Sequence, residues 1–178
     1  MATQFATLGG GCFWCIEAAF NTVKGVIKAT SGYTGGEPET ADYKTVCSGT
    51  TGHVEVVQIE FDPELISYEQ LLVMFFKLHD PTQLNKQGND LGTQYRGAIF
   101  YHNDEQQLQA KAMIDLLKEQ QVFEQEIVTA VEPLTEFYPA EDYHQGYFLE
   151  NPDQAYCAMV VSPKYEKFRA LFSEQLKS

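Results

Sequence analysis

Two hydrophobic periods alternate along the chain. A short apolar run, Phe5 to Leu8, leads into Gly9, Gly10 and Gly11, and "CIEAAFNTV" beyond it carries apolar residues at helical spacing until Gly25. Strand, glycine turn and helix is the order these residues imply. Val26 to Thr30 reads as a second strand. Ser31 to Gly52 is rich in glycine and has no period, which predicts a long loop, and loops of that length tend to be functional. In "HVEVVQIEF" a period of two returns: His53, Glu55, Val57, Ile59 and Phe61 share one strand face, so Glu55 points the same way as three large apolar side chains.

Ser67 and Gln70 are spaced as a capping box, and Ile66 with Leu71 as a hydrophobic staple, predicting a helix through Phe75 and Phe76 to about His79. "HDPTQLNKQGNDLGTQ" then lacks a period. A strand from Tyr95 to His102 follows, then a helix from Asp104 with Leu108, Ala112 and Leu116 along one stripe. A strand in "EIVTAVEPL" precedes a last helix, opened by Ser162 and Pro163 and facing the core with Tyr165, Phe168 and Phe172. This order fits two split strand-helix-strand units: an α/β (α+β) two-layer sandwich with a ferredoxin-like core, a mixed sheet and long functional loops. No linker, repeat or low-complexity tract interrupts it, so residues 1–178 read as a single domain.

Charge narrows the partners. Twelve basic against 25 acidic residues leave a formal charge of −13, which repels phosphate backbones and anionic lipid, so neither nucleic acid nor membrane is expected. No window approaches the roughly 20 apolar residues of a membrane span, and "MATQFATLGGG" lacks the features of a signal peptide, so a cytoplasmic location is expected. Cys12, Cys15, Cys47 and Cys157 are not needed as disulfides in a cytosolic chain of this length, which points to redox chemistry. A zinc site made of all four lacks the usual second Cys-x-x-Cys pair.

The chemistry gathers in "GGGCFWCIEAAF". Cys12 falls where a helix begins, facing unpaired N–H groups and the positive end of the dipole, both of which stabilise a thiolate. The bland alternative is a small buried hydrophobe, but the preceding glycines let a ligand approach the backbone. Phe13 and Trp14 are either core or the walls of an apolar pocket that holds a small nonpolar group against the sulfur. Cys15 follows Cys12 by three residues, a helical spacing at which two thiols approach disulfide reach. That spacing is all the pair shares with thioredoxin.

Together "GCFWC", "SGYTGG", "TGHVEVVQIEFDP", "HDPTQLNKQGNDLGTQYR" and "EDYHQGYFLENP" resemble peptide methionine sulfoxide reductase A, from Phe5 to about Phe168. The resemblance implies an active site at the start of the first helix and reduction of the S epimer of methionine sulfoxide, free or in proteins. It implies that Cys12 is the nucleophile and that Phe13 and Trp14 receive the substrate S-methyl group. Glu55, joined by Tyr43 and Tyr95, would protonate or hydrogen-bond the sulfoxide oxygen, its proton retained by desolvation. Asp90 would organise water and the thiol, although "NDLG" also suits a turn-forming Asp; His144 would help shape the substrate site.

Cys12 would become a sulfenic acid, which a second thiol must resolve. The commonest family pattern has Gly at position 15, so this chain offers either Cys15 or Cys157 as resolver, while Cys47 reads as structural. Thioredoxin is the implied donor, with no bound cofactor and no metal, and a monomer is expected. Two other classes draw on the same residues: a cysteine hydrolase with His144 or His53 as base, and a binding or zinc module with a structural Cys-x-x-Cys. Each accounts for one motif. His79 closes a helix, where a cation suits the dipole, and His102 ends a strand.

Overall fold

The computed structural model describes residues 3–177. In chain order the elements are β1 (Gln4–Gly9), α1 (Phe13–Asn21), β2 (Val26–Thr34), α2 (Tyr43–Val46), β3 (Val54–Phe61) and α3 (Tyr68–Leu78). A small hairpin of β4 (Lys86–Gln87) and β5 (Asp90–Leu91) follows, then β6 (Ala98–Tyr101), α4 (Asp104–Glu119), β7 (Ala130–Pro133), β8 (Tyr138–Pro139), α5 (Tyr147–Glu150) and α6 (Ser162–Leu171). The sheet order is β7-β6-β1-β3-β2-β8. Its centre, β6-β1-β3-β2, is antiparallel throughout and is the strand order of the ferredoxin-like β-α-β-β-α-β unit. β7 joins parallel to β6, which makes the sheet mixed.

The period of two in β3 sorts its residues as expected. Val57, Ile59 and Phe61 belong to the main core with Leu8, Phe20, Leu71, Phe75 and Phe168, whereas Val54 and Val56 join a smaller cluster with Ala98 and Phe100. Glu55 is therefore committed to the helix-covered side by the same alternation that buries Val57. The capping box forms as spaced: Gln70 N–H donates to Ser67 Oγ at 3.1 Å and Ser67 N–H to Gln70 Oε1 at 2.9 Å. No helix among the described residues is long and apolar enough to cross a membrane.

Four expectations are corrected. β2 continues through Thr34, pairing Ser31 to Thr34 with Val57 to Val54, and α2 also lies within the segment expected to be loop. Sheet partners on both sides override the low strand propensity of Ser and Gly there, and a Cβ at Gly32 would sit 2.5 Å from the Phe137 ring and the Tyr138 carbonyl. Tyr95 lies in a 3-10 turn, Thr93–Tyr95, and the strand starts only at Ala98. In α4 the inward face is Gln106, Ala110, Met113 and Ile114, leaving Leu108 and Leu116 at 69% and 46% exposure; a four-residue spacing matched two faces, and packing chose the other. Ser162 does not open the last helix, because a π-helical turn, Cys157–Val161, runs directly into α6. That turn loosens the ladder just before Pro163, where a regular helix interior would be broken.

Candidate active site

Three glycines bring the backbone into position. Gly11 has φ +89, and a Cβ there would lie 2.8 Å from Gln87 Cγ; at Gly10 it would meet the His79 ring at 2.9 Å and at Gly9 the Glu55 carbonyl at 2.9 Å. The exit of β1 is thus clamped between α3, the β4–β5 hairpin and β3, with Gly11 N–H donating to the Tyr95 carbonyl at 3.2 Å. Cys12 follows as the N-cap of α1, in extended conformation.

Glu55 is 1% exposed. Its Oε1 accepts the Phe13 N–H at 3.2 Å, and its Oε2 is buried with no partner among the described residues. Desolvation, which outweighs that hydrogen bond and is reinforced by Asp90, raises its pKa to about 8. Cys12 is partly exposed. Burial of its sulfur first, and the Glu55 carboxyl second, hold the thiol well above its usual range, with the Trp14 N–H pulling the other way. The helix terminus therefore acts on Cys12 as expected but does not win: the resting pair is a thiol beside a carboxylic acid.

An aromatic box surrounds this pair. Trp14 stacks on Tyr147 with centroids 4.1 Å apart and meets Tyr156 edge-on at 5.9 Å. The Trp14 indole N–H donates to His144 Nδ1 at 2.9 Å, which fixes both rings and leaves the ring proton of the neutral His144 on Nε2. Phe13, packed between Tyr33 and His144, has no accessible surface; Trp14 keeps some. The Tyr156 hydroxyl donates a hydrogen bond to Asp90 Oδ2 and neighbours the Cys12 thiol. Asp90 is thus part of a network and more than a turn former.

Tyr43 and Tyr95 come together across the mouth. Both hydroxyls neighbour the thiol of Cys47, whose N–H donates to the Tyr43 carbonyl one helical turn back at 2.9 Å. Gln94 Nε2 donates to the Cys47 carbonyl at 3.5 Å and Thr93 Oγ1 to that of Gly49 at 3.3 Å, tying the two segments. Cys47 is exposed and sits at the site. Glu141 accepts from the Tyr43 N–H at 3.0 Å and the Tyr33 hydroxyl at 2.9 Å. Burial opposes its charge, but those hydrogen bonds outweigh it and hold its carboxyl below the ordinary range.

The structure brings together Cys12, Phe13, Trp14, Tyr43, Glu55, Asp90, Tyr95 and His144. Sequence reasoning missed Tyr156, Tyr147 and Glu141, although Glu141 and Tyr147 lie within "EDYHQGYFLENP" and Tyr156 directly precedes Cys157. Cys15, 5% exposed, has its thiol pushed up to about 11 by burial, with Lys164 opposing. Cys157 is fully buried in the π turn. His53 has both ring nitrogens engaged, by the Gly36 N–H at 3.1 Å and the Glu37 carbonyl at 2.8 Å, so it has no free nitrogen to act as base. His79 does not serve as a helix-end cation: burial lowers its pKa to about 4 while Nδ1 bonds the Phe75 carbonyl at 2.7 Å. Among the described residues no three His, Cys, Asp or Glu side chains are grouped to hold a metal ion.

A family model described as peptide methionine sulfoxide reductase matches residues 4–176. The peptide methionine sulfoxide reductase MsrA of Pasteurella multocida is 56% identical over 172 residues, 97% of this chain and 98% of that protein. MsrA of Natronomonas pharaonis is 52% identical over 176 residues, 99% of each chain. Among solved structures, reduced Mxr1 from Saccharomyces cerevisiae superposes with a TM-score of 0.80 at 34% identity, covering 85% of this chain and 87% of that one.

Proposed function

The chain belongs to the peptide methionine sulfoxide reductase family, and from that premise we propose how its residues divide the reaction, which epimer it takes and what restores it. It is an oxidoreductase that reduces methionine sulfoxide. The observation that carries the mechanism is a buried carboxylic acid with one unpartnered oxygen beside a cysteine at a helix N-terminus.

The substrate S-methyl group lies against the accessible side of Trp14, and the buried Phe13 backs the same pocket through Tyr43 and His144, which both rings pack against. The sulfoxide oxygen accepts hydrogen bonds from Glu55 and from the Tyr43 and Tyr95 hydroxyls. Glu55 gives its proton to that oxygen, which makes the sulfur electrophilic. Cys12 attacks the sulfur, the thiol proton replaces the one Glu55 gave, and the oxygen leaves on Cys12 as sulfenic acid while methionine departs with the sulfur electron pair. Asp90 and Tyr156 orient the thiol. Methyl, oxygen and attack direction fix three positions around a chiral sulfur, so a single epimer fits; the family resemblance makes it S.

Cys15 then attacks the sulfenic sulfur, a disulfide forms and water leaves. Both thiols are buried, and Cys15 is favoured because it stands three residues from Cys12 on the first turn of α1, a spacing at which two thiols approach disulfide reach, whereas Cys157 lies in the π turn before α6. A dithiol donor of the thioredoxin class returns two electrons by exchange, with no bound cofactor. We place this activity in a single-domain monomer of the cytoplasm, acting on free or protein-bound methionine sulfoxide.

The test is a thiol count and disulfide map after one turnover without reductant, in wild type, Cys15→Ser and Cys157→Ser. A Cys12–Cys15 linkage in wild type and Cys157→Ser, with a trappable sulfenic acid in Cys15→Ser, is expected. A Cys12–Cys157 linkage would transfer the resolving role, and no loss of thiols at all would sink the sulfenic acid mechanism.

A further inference from the structure

A groove of about 1010 Å³ opens beside the active site, and none of the residues assigned to the reaction lines it. Lys77, Lys86, Lys164 and Lys167 lie along it against two carboxylates, Asp80 and Glu124, a local excess of two positive charges on a chain of formal charge −13. The only ion pair among the described residues is Arg169 with Glu166, so no carboxylate neutralises these lysines at contact distance. Leu84 and Val122, 67% and 46% exposed, add apolar surface.

Two elements tie the groove to the reacting sulfur. Gln87 lines it from β4 and pairs directly with Asp90 of β5, one strand spacing of about 4.8 Å away. Lys164 follows Tyr156 by eight residues along a helical run that includes the π turn, within about 12 Å because a π turn rises less per residue than the α-helix. Lys164 is also the cation whose field reaches Cys15. A standard protein interface covers about 800 Å² per partner, about 30 Å across, so one docked protein spans groove and mouth together.

We propose that this lysine-lined groove is the docking surface for the protein dithiol that reduces the oxidised enzyme, and that it selects a donor with an acidic rim around its thiols. The inference rests on the dithiol reduction proposed above. A basic donor would be drawn to most of this acidic surface without orientation; an acidic one is repelled everywhere except where the groove supplies the opposite sign, so charge fixes how it docks.

The experiment compares turnover of free methionine sulfoxide driven by an acidic bacterial thioredoxin with its reductase, and by uncharged dithiothreitol. The variants are Lys86→Glu/Lys167→Glu and, as an equal charge change outside the groove, Lys24→Glu/Lys28→Glu. The groove variant should raise KM for thioredoxin about tenfold relative to its own dithiothreitol-driven rate, and the control less than about twofold. Equal effects of both variants, no change in the groove variant, or wild-type turnover with dithiothreitol but not thioredoxin would overturn the proposal. A groove variant that loses only turnover of an acidic peptide substrate would overturn it too, making the groove a substrate subsite. Failure of the wild type with both reductants would instead bring down the dithiol reading itself, and this inference with it.

Discussion

Glu55 is the residue on which the proposed chemistry turns, and its raised pKa leads to two measurable outcomes. Its folded value of about 8 exceeds its ordinary 4.5, so between those values the folded chain binds a proton that the unfolded chain has lost. Stability contributed by that proton is fully present below about 4.5 and is lost as pH rises through about 8. A tenfold change in an acid's dissociation constant corresponds to about 1.4 kcal/mol, and Gln keeps the acceptor for the Phe13 N–H, so in denaturant unfolding Glu55→Gln should be more stable than wild type at pH 8 by roughly a few kcal/mol and match it near pH 4. In single turnover the wild-type reductase step should slow above about pH 8, while Glu55→Gln should be slower by a factor of about 10² to 10⁴ and lack that limb. A Glu55→Gln profile that keeps the limb would remove Glu55 from the acid role. The period of two in β3 made the burial of this carboxyl legible from sequence; its unpartnered oxygen was not, because that depends on what other elements fail to supply.

Among elements, the β1–α1 junction decides where the sulfur stands. Gly11 pairs a left-handed φ with a Cβ position 2.8 Å from Gln87 Cγ, whereas Gly88, at φ +59, has nothing within 4 Å. Gly11→Ala should therefore destabilise by about 1–3 kcal/mol and displace Cys12, lowering single-turnover rate. Gly88→Ala should cost about 1 kcal/mol with the rate preserved. Thermal unfolding beside rapid-quench turnover distinguishes the two, and equal losses of rate would mean the clamp does not position the thiol. The capping box of α3 was legible because all its partners lie within four residues. The inward face of α4 was not, since Leu108, Ala112 and Leu116 satisfy helical spacing as well as the residues that packing selected.

For the whole molecule, charge is the term least balanced. With a formal charge of −13 and one ion pair among the described residues, the fold works against its own repulsion. Raising salt from about 10 mM to about 150 mM shortens the Debye length from about 30 Å to about 8 Å, so the melting temperature should rise; a fall would mean that short-range attractions between opposite charges dominate instead. Periodicity, turn chemistry and the five motifs determined the sandwich and pointed to Cys12 as the proposed nucleophile and to the residues expected to bind the sulfoxide, because each is written in short windows of sequence. Only the tertiary structure decided that β2 extends to Thr34, that burial overrides the helix terminus at Cys12, that Tyr156 bonds Asp90 beside Cys12, and that four dispersed lysines meet in one groove. Those outcomes depend on desolvation and contact between segments far apart in the chain, which no local pattern encodes.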